Sequence, residues 1–212
     1  MRDRKPAATV DAPMTAVDDP VLYLASRSPR RQALLDQVGL RYALVTAAVE
    51  ETPRPREASA SFTARLAAAK ARAGYRCAVA QAWPERPVLG ADTCVCVDDR
   101  ILGKPRDRDH FVEMLNLLSH RTHEVYTAIA LVDREQCYTA LSLSRVTFKR
   151  LGDAEIDAYW RTGEPRDKAG GYAIQGKAAA FVASLEGSYS GIVGLPLFEM
   201  RELLLEIGVD WL

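Results

Sequence analysis

Residues 21–39 read VLYLASRSPRRQALLDQVG. The first five residues form an apolar run typical of a short β-strand, and residues 30–38 are predicted to form a helix. Ser28 stands at the N-cap position, Pro29 in the first turn and Gly39 beyond the last turn, which are matched signals for the start and end of a helix. The stretch therefore predicts a strand, a tight loop and a helix in succession.

Outward from this unit, the chain continues with short strands, helices and one long hairpin. Helices are predicted at residues 59–73, where Gly74 is interpreted as the stop, and at 109–118, 153–161 and 197–207. Strands are predicted at residues 42–46, 88–97, 101–102, 124–132, 137–148 and 179–185, with 187–196 as a loop and short strand. This mixture of βα units and hairpins predicts an α/β or α+β fold with a mixed sheet, and it argues against a barrel of eight βα units.

The composition indicates a globular protein with one large domain, or two small lobes that share a cleft. With 48% hydrophobic residues, the 212-residue chain has enough apolar side chains for a sizeable core. Its 28 basic and 28 acidic residues balance, which argues against general binding to nucleic acid or membranes but leaves room for a local basic cleft. No apolar run is long enough to span a bilayer, and the four cysteines are interpreted as reduced cytosolic thiols. Residues 1–20 lack periodicity and are interpreted as a flexible extension, which leaves residues 21–212 as the domain.

The loop before the first helix is the first candidate site. A helix N-terminus offers unpaired N–H groups and the positive end of the helix dipole, and both favour an anion. Ser26 and Ser28 add hydroxyl donors there, while Arg30 and Arg31 add planar guanidinium donors that suit phosphate. The same residues are equally compatible with a capped helix that carries two solvated arginines.

Carboxylates supply the next candidates. Asp92 follows an apolar run in Gly90-Ala91-Asp92-Thr93, where an aspartate can hold Mg²⁺ or accept a proton from water. Glu50 and Glu51 are adjacent, so only one of them is expected to face a cleft, and Glu50 is the one chosen. Because Mg²⁺ is usually held by one or two carboxylates plus substrate phosphates, Glu50 with Asp92 would suffice. A turn aspartate and an exposed acidic loop are the alternatives.

Cationic and glycine-rich segments complete the candidates. Three lysines could balance the charge of a triphosphate, namely Lys70, Lys104 and Lys168. Within the glycine-rich residues 167–176, Gln175 offers both a donor and an acceptor, which match the edge of uracil or thymine. Solvated lysines and a structural hairpin are the alternatives. His120 and His123 lack further ligands nearby, so a zinc site is not predicted.

Six segments, taken together and in this order, resemble the motifs of the Maf family. They are Leu24-Ala25-Ser26-x-Ser28-Pro29-Arg30-Arg31, Gly90-Ala91-Asp92-Thr93, Gly103-Lys104-Pro105-Arg106, Thr122-His123-x-Val125-x-Thr127, Asp167-Lys168-Ala169-Gly170-Gly171-Tyr172 and Gly187-Ser188-Tyr189. Each motif alone is unspecific, but six in order are highly specific. The resemblance covers residues 21–207, which is nearly the whole chain.

The resemblance implies a mixed α/β fold with two lobes around a central cleft, like that of the inosine triphosphatase group. It also implies Mg²⁺- or Mn²⁺-dependent hydrolysis of a nucleoside triphosphate between its α and β phosphates, with Asp92 as the proton acceptor. Positions that the resemblance ties to substrate choice are Arg30, Thr93 and Gln175. Positions that it ties to phosphate or metal binding are Ser26, Arg31, Glu50, Lys70 and Lys104.

Residues 171–176 resemble the branch of the family that hydrolyses dTTP and UTP, rather than the sister branch that acts on 7-methyl-GTP. Ala173 departs from the glycine usual in that branch, and its methyl group is expected to narrow the base pocket. The resemblance further implies a cytoplasmic protein that forms a homodimer. Two other interpretations stay open: a nucleotide-binding regulator of cell division, since the family is named for inhibiting septum formation, and a nucleotidyl or sugar-phosphate transferase.

Overall fold

A mixed β-sheet runs through the structure, a computed structural model that describes residues 19–46, 48–134 and 136–211. Its strands are β1 (Leu22–Leu24), β2 (Tyr42–Leu44), β3 (Val88–Val97), β4 (Arg100–Leu102), β5 (Thr122–Asp133), β6 (Gln136–Phe148) and β7 (Val182–Glu186). Within these residues, the order across the sheet is β2-β1-β3-β5-β6-β7, and β4 pairs with β3. β1 is parallel to β2 and β3, whereas all other pairs are antiparallel. The predicted mixed α/β fold is confirmed.

Among the described residues, five of the six helices begin within one residue of the predicted start, and the exception is the short helix Tyr189–Val193. The helices are α1 (Pro29–Gln37), α2 (Ser59–Ala80), α3 (Arg108–Leu118), α4 (Asp153–Arg161), α5 (Tyr189–Val193) and α6 (Leu197–Glu206). Short 3-10 turns occupy Glu164–Asp167, Ala169–Gly171 and Lys177–Phe181. Ser28 is the N-cap residue of α1, as predicted, but its side chain makes no capping hydrogen bond. Its backbone N–H instead donates to Ser26 Oγ at 3.2 Å, so the serines order the loop before the helix.

The prediction that Gly74 ends a helix is wrong, because α2 continues to Ala80. A Cβ at position 74 would lie only 2.9 Å from Ala25 Cβ and Val45 Cγ1. Contacts this short are essentially never seen, so a larger residue would push α2 away from the first strands. Gly74 is therefore a packing glycine, and its cost to helix stability is outweighed by the close approach that it allows.

A second close approach places α2 over β3. A Cβ at Gly90 would lie 2.4 Å from Ala67 O and 2.5 Å from Ala71 N, so the backbone of the helix presses directly on the strand. Lys70 stands between these two alanines in the sequence, and Asp92 follows Gly90 by two residues on the same strand. Because residues two apart in a strand share a face, Asp92 lies on the side that α2 covers. The glycine thus fixes the position of Lys70 relative to Asp92.

The chain after residue 176 differs from its prediction. The strand expected from residue 179 begins at Val182, because Lys177–Phe181 forms a 3-10 turn. Residues 189–193, expected as loop and short strand, form the short helix α5. Ser188 caps this helix by accepting a hydrogen bond from Gly191 N at 3.0 Å, and Ser190 Oγ accepts from Leu197 N at 3.1 Å. These local hydrogen bonds take the place of the interstrand hydrogen bonds that the predicted strand would form.

Two expectations concern features other than the sheet. In the described part of the chain, none of the helices combines the length and the apolar composition needed to cross a membrane. The flexible extension predicted at residues 1–20 lies, up to residue 18, outside the described residues. The boundary of the domain at residue 21 stays a prediction.

Candidate active site

A cavity of about 520 Å³ lies beside the ends of β1 and β2, the middle of β3 and the N-terminus of α1. This volume is within the usual range of about 300–1,000 Å³ for small-ligand sites. Eight of the nine residues predicted to form the site line this cavity, namely Ser26, Arg30, Arg31, Lys70, Asp92, Thr93, Lys104 and Gln175. The exception is Glu50. Residues far apart in the sequence are thus brought together as the motifs suggested.

Asp92 and Lys70 form the charged centre of the cavity. Asp92 is only 7% exposed. Lys70 Nζ donates to Asp92 Oδ1 and contacts Glu51 Oε1, each at 2.7 Å. Burial raises the pKa of Asp92 above its ordinary value, and the charge of Lys70 offsets this rise only in part. A carboxylate that is harder to ionise holds a proton more tightly, so Asp92 is more basic than an ordinary aspartate.

Glu51, rather than Glu50, is the carboxylate that faces the cavity. Glu50 is exposed and does not line the cavity, whereas Glu51 does so beside Lys70. The segment is neither helix, strand nor turn at these residues, and only the second glutamate meets Lys70. Burial acts to raise the pKa of Glu51, but the hydrogen bond from Lys70 and the nearby positive charges together outweigh burial, so the pKa is lowered. The expectation that Glu50 faces the cleft is therefore wrong.

Arg31 ties α1 to the C-terminal part of the chain. It is buried, and its Nε donates to Gly194 O at 2.7 Å. Its Nη1 donates to Ser26 Oγ at 3.0 Å, and Nη2 reaches Thr93 Oγ1 at 3.4 Å. Burial lowers the pKa of Arg31 to about 10, so the guanidinium stays charged at neutral pH. Arg31 lines the cavity and adds positive charge, while these contacts hold its orientation.

Thr93 is fixed by a short chain of hydroxyl groups. The hydroxyl oxygens of Thr93 and Thr127 lie 2.9 Å apart, and Thr127 Oγ1 donates to Gly191 O at 2.7 Å. Because Thr127 has one hydroxyl proton and a carbonyl only accepts, Thr127 donates to Gly191 and accepts from Thr93. Thr93 then accepts from Arg31. The side chain therefore presents a fixed dipole to the cavity.

The glycine-rich segment forms another part of the cavity wall. Gln175 is exposed there and lines the cavity. Asp167 Oδ2 lies 3.6 Å from Arg30 Nη1, an ion pair that links this segment to the start of α1. Gly170 N donates to Gly103 O at 3.0 Å, so the segment also holds the turn that carries Lys104. Arg30, Lys104 and the candidate base-reading residue Gln175 thus lie on connected segments of the cavity wall.

His123 has a structural role that the sequence did not reveal. It is 1% exposed, and its Nε2 lies 2.8 Å from Tyr172 Oη. Its ring also packs edge-on against Phe148, with ring centroids 4.9 Å apart. Burial lowers its pKa to about 4, so the imidazole is neutral at pH 7. Its place beside Val125 in an alternating strand was the one signal that it points inward.

Comparisons with known proteins identify a family and several relatives of this chain. A family model described as Maf-like protein matches residues 21–207. A dTTP/UTP pyrophosphatase of Alkalilimnicola ehrlichii is 55% identical over 195 residues, which cover 91% of this chain and 95% of the relative. A dTTP/UTP pyrophosphatase of Nitrosomonas europaea is 48% identical and covers 89% of this chain and 95% of its own length. A dTTP/UTP pyrophosphatase of Escherichia coli O157:H7 is 48% identical, over 86% of this chain and 91% of the relative. These similarities span nearly the full length of both partners in each comparison.

Proposed function

Because the chain belongs to the Maf-like protein family, we propose that it is a nucleoside triphosphate pyrophosphatase that hydrolyses dTTP and UTP to the monophosphate and pyrophosphate. Relatives that bear the name dTTP/UTP pyrophosphatase align with 86% to 91% of the chain. Identities of 48% to 55% over that length support the same base preference. A cytoplasmic location and a homodimer stay predictions from the resemblance.

One observation carries the catalytic part of the proposal. A buried carboxylate with a raised pKa, Asp92, shares a cavity of about 520 Å³ with several cations. A general base works best when its pKa approaches the working pH, and burial moves Asp92 in that direction. Cations beside it suit a substrate with three phosphates. Both features suit the hydrolysis of a nucleoside triphosphate.

Phosphate binding is assigned to the start of α1 and to the lysines. The N-terminus of α1 lines the cavity through Ser28, Pro29 and Arg30, and a helix N-terminus favours an anion. The side chain of Arg30 is 27% exposed, so its guanidinium is accessible to a phosphate. Its ion pair with Asp167 is partly exposed and long at 3.6 Å, so a phosphate can compete for the guanidinium. Lys104 is exposed on the cavity wall and adds a second accessible cation.

In the proposed reaction, Asp92 accepts a proton from a water molecule that attacks the anhydride between the α and β phosphates. The new bond joins the water oxygen to the α phosphorus. The bond from that phosphorus to the bridging oxygen breaks, so pyrophosphate leaves with the bridging oxygen and the monophosphate is formed. Lys70 and Lys104 stabilise the negative charge that grows on the pyrophosphate as the bridge breaks. Arg31, held by the protein, adds a fixed positive charge that requires no reorganisation.

A divalent cation, Mg²⁺ or Mn²⁺, fits the carboxylates of this cavity. Asp92 and Glu51 offer the hard oxygen ligands that these ions prefer, and both lie 2.7 Å from the same positive charge on Lys70. In the described residues, no group of three or more histidine, cysteine or acidic side chains could hold a metal. The remaining ligands would therefore be substrate phosphates and water, as is usual for Mg²⁺. When bound, the cation would neutralise phosphate charge and polarise the anhydride.

The metal assignment is tested by two adjacent glutamates. Glu51→Gln should weaken Mn²⁺ binding at least tenfold, because it removes one of two charged ligands. Glu50→Gln removes the same charge one residue away and should leave Mn²⁺ binding unchanged. Both are measured by electron paramagnetic resonance of free Mn²⁺ with nucleotide present. Equal loss in the two variants, or loss only with Glu50→Gln, would contradict the assignment.

Base selection is assigned to Gln175 with Thr93 and Arg30. An amide side chain both donates and accepts, which matches the edge of uracil or thymine and does not match cytosine in the same orientation. Gln175 is exposed and lines the cavity, so its amide is free to meet a base. Ala173 is buried, 6% exposed, and its methyl group narrows this wall relative to glycine.

The proposal as a whole is tested by pyrophosphate release. Purified protein is incubated with dTTP, UTP, CTP, GTP, 7-methyl-GTP or ATP, with Mg²⁺ or Mn²⁺, and with EDTA as the control. Metal-dependent release that favours dTTP and UTP is the expected result. Tight nucleotide binding without release from any substrate would instead favour the regulatory interpretation, and release only when an acceptor is added would favour a transferase.

A further inference from the structure

Beneath the base-reading wall, outside the cavity, lies a hydrogen-bonded pair formed by Tyr159 and Glu164. We propose that this pair sets the base selectivity of the site by holding the backbone on both sides of Gln175. The inference rests on the proposed function, since it assigns a positioning role within the same site. Neither residue lines the cavity, so both would act through the backbone and not through the substrate.

The pair holds the backbone at two points. Tyr159 Oη accepts a hydrogen bond from Ala173 N at 3.1 Å and donates to Glu164 Oε1 at 2.7 Å. Glu164 Oε2 accepts from Lys177 N at 3.1 Å. Ala173 and Lys177 are two residues before and two residues after Gln175. One continuous chain of hydrogen bonds therefore spans the turn that presents the Gln175 amide.

The turn fits closely over the carboxylate. A Cβ at Gly176 would lie 2.4 Å from both carboxylate oxygens of Glu164, so the backbone rests directly on that group. Glu164 itself is placed by its own N–H, which donates to Thr162 Oγ1 at 3.2 Å. Any shift of the carboxylate is thus passed to the backbone beside Gln175.

Tyr159 is rigid enough to serve as the anchor of this chain. It is 3% exposed on α4, and its ring packs edge-on against Phe181, with centroids 5.1 Å apart. Burial, together with the hydrogen bond to Glu164, raises the pKa of Tyr159, so the hydroxyl keeps its proton at all working pH values. Since it donates to Glu164 and accepts from Ala173, its single proton is committed.

The pair lies on different elements of the fold from the residues proposed for catalysis. Tyr159 and Glu164 lie on α4 and on the 3-10 turn after it, whereas Asp92 and Lys70 lie on β3 and α2. Loss of the pair should therefore let the Gln175 amide move while the charged centre stays in place. Because misplacement of about 1 Å can cost about a hundredfold, a partial release of the turn should cost about tenfold.

The test compares Tyr159→Phe with Tyr23→Phe. Tyr23 is a matched control, because it is 2% exposed and its hydroxyl donates to Pro84 O at 2.9 Å, outside the cavity. Tyr159→Phe should raise KM for dTTP and lower the ratio of kcat/KM for dTTP over CTP by about tenfold, with kcat for dTTP within about twofold of the wild type. Tyr23→Phe should leave the ratio unchanged.

A second variant keeps the inference testable if Tyr159→Phe does not fold. Glu164→Gln replaces one acceptor by an amide donor, and it should lower the same ratio in the same direction. Because both residues act in one chain, the double variant should lose no more selectivity than the stronger single variant. If a folded variant keeps the wild-type ratio of kcat/KM for dTTP over CTP, including the case in which both values fall by the same factor, the positioning role is overturned.

Failure of the proposed function gives a different result from failure of the positioning role. If the wild-type protein releases no pyrophosphate, the proposed function falls, and the ratio of dTTP to CTP affinities from isothermal titration calorimetry takes the place of the kinetic ratio. A drop of that ratio in Tyr159→Phe, without a drop in Tyr23→Phe, would still support the role of the pair. The same ratio in both variants would overturn it.

Discussion

Mild acid should destabilise the fold through one buried side chain, His123. Its pKa in the folded protein is about 4, against an ordinary value of 6.5, and burial is the cause. Its Nε2 contacts Tyr172, while its buried Nδ1 has no hydrogen-bond partner in the described part of the chain. A proton added to this ring would place a charge among the aromatic rings of Phe148 and Tyr172. The folded protein is therefore more stable with a neutral imidazole than with a protonated one.

The sign and size of the effect follow from the two pKa values. Between pH 6.5 and about 4, the unfolded chain binds a proton at His123 that the folded chain does not bind, so stability falls as the pH falls. At about 1.4 kcal/mol per pKa unit, this difference is worth about 3 kcal/mol. His123→Gln removes the titrating group and should remove this part of the pH dependence.

The measurement is the free energy of unfolding in urea at several pH values from 7 to 4. Carboxylates titrate equally in both proteins, so the wild-type value minus the His123→Gln value isolates the imidazole. That difference should fall by about 3 kcal/mol from pH 7 to 4. A constant difference for His123→Gln, or an NMR titration of His123 near 6.5 in the folded protein, would refute the reasoning.

Three further predictions concern packing, charge and acid stability. Gly90→Ala should lower the free energy of unfolding in urea by about 3 kcal/mol or more, because the added Cβ would meet the backbone of α2 at 2.4 Å. Gly103→Ala is the control and should change stability little, because a Cβ there would have nothing within 4 Å. Lys70→Met should lower the rate of pyrophosphate release by about a hundredfold, and a rate within threefold of the wild type would exclude the lysine from charge stabilisation. Glu57 has a pKa lowered to about 2, chiefly by its hydrogen bond from Arg65, so Glu57→Gln should cost stability at pH 7. That cost should shrink as the pH falls from 4.5 towards 2, and a pH-independent difference between the two proteins would contradict it.

Features governed by neighbours in the sequence were predictable. The start of α1 at Pro29 follows from the fixed φ of proline and from the loop that precedes it. The β5–β6 hairpin follows from alternating apolar residues on both sides of a short turn. Asp92 stood out because it follows an apolar run, where an aspartate can hold Mg²⁺ or accept a proton from water. In each case, the signal lies in the element itself or in the residues that flank it.

Features that depend on distant partners were not predictable. Gly74 reads as a helix stop, and only Ala25 and Val45 across the interface reveal it as a packing position. The two adjacent glutamates differ only in which of them meets Lys70, some twenty residues further along the chain. The link from Tyr159 through Glu164 to the turn around Gln175 needs the folded backbone, because two of its acceptor contacts are to main-chain N–H groups. Side-chain type alone gives no sign of such contacts.

The products of dTTP hydrolysis test the central claim most directly. Wild-type protein and Asp92→Asn are incubated with dTTP and Mg²⁺, and the phosphorus-containing products are followed by ³¹P NMR. The wild type should form dTMP and pyrophosphate in equal amounts, and Asp92→Asn should do so about a hundredfold more slowly while it still binds dTTP. Formation of dTDP and orthophosphate, or a wild-type rate with Asp92→Asn, would contradict the account.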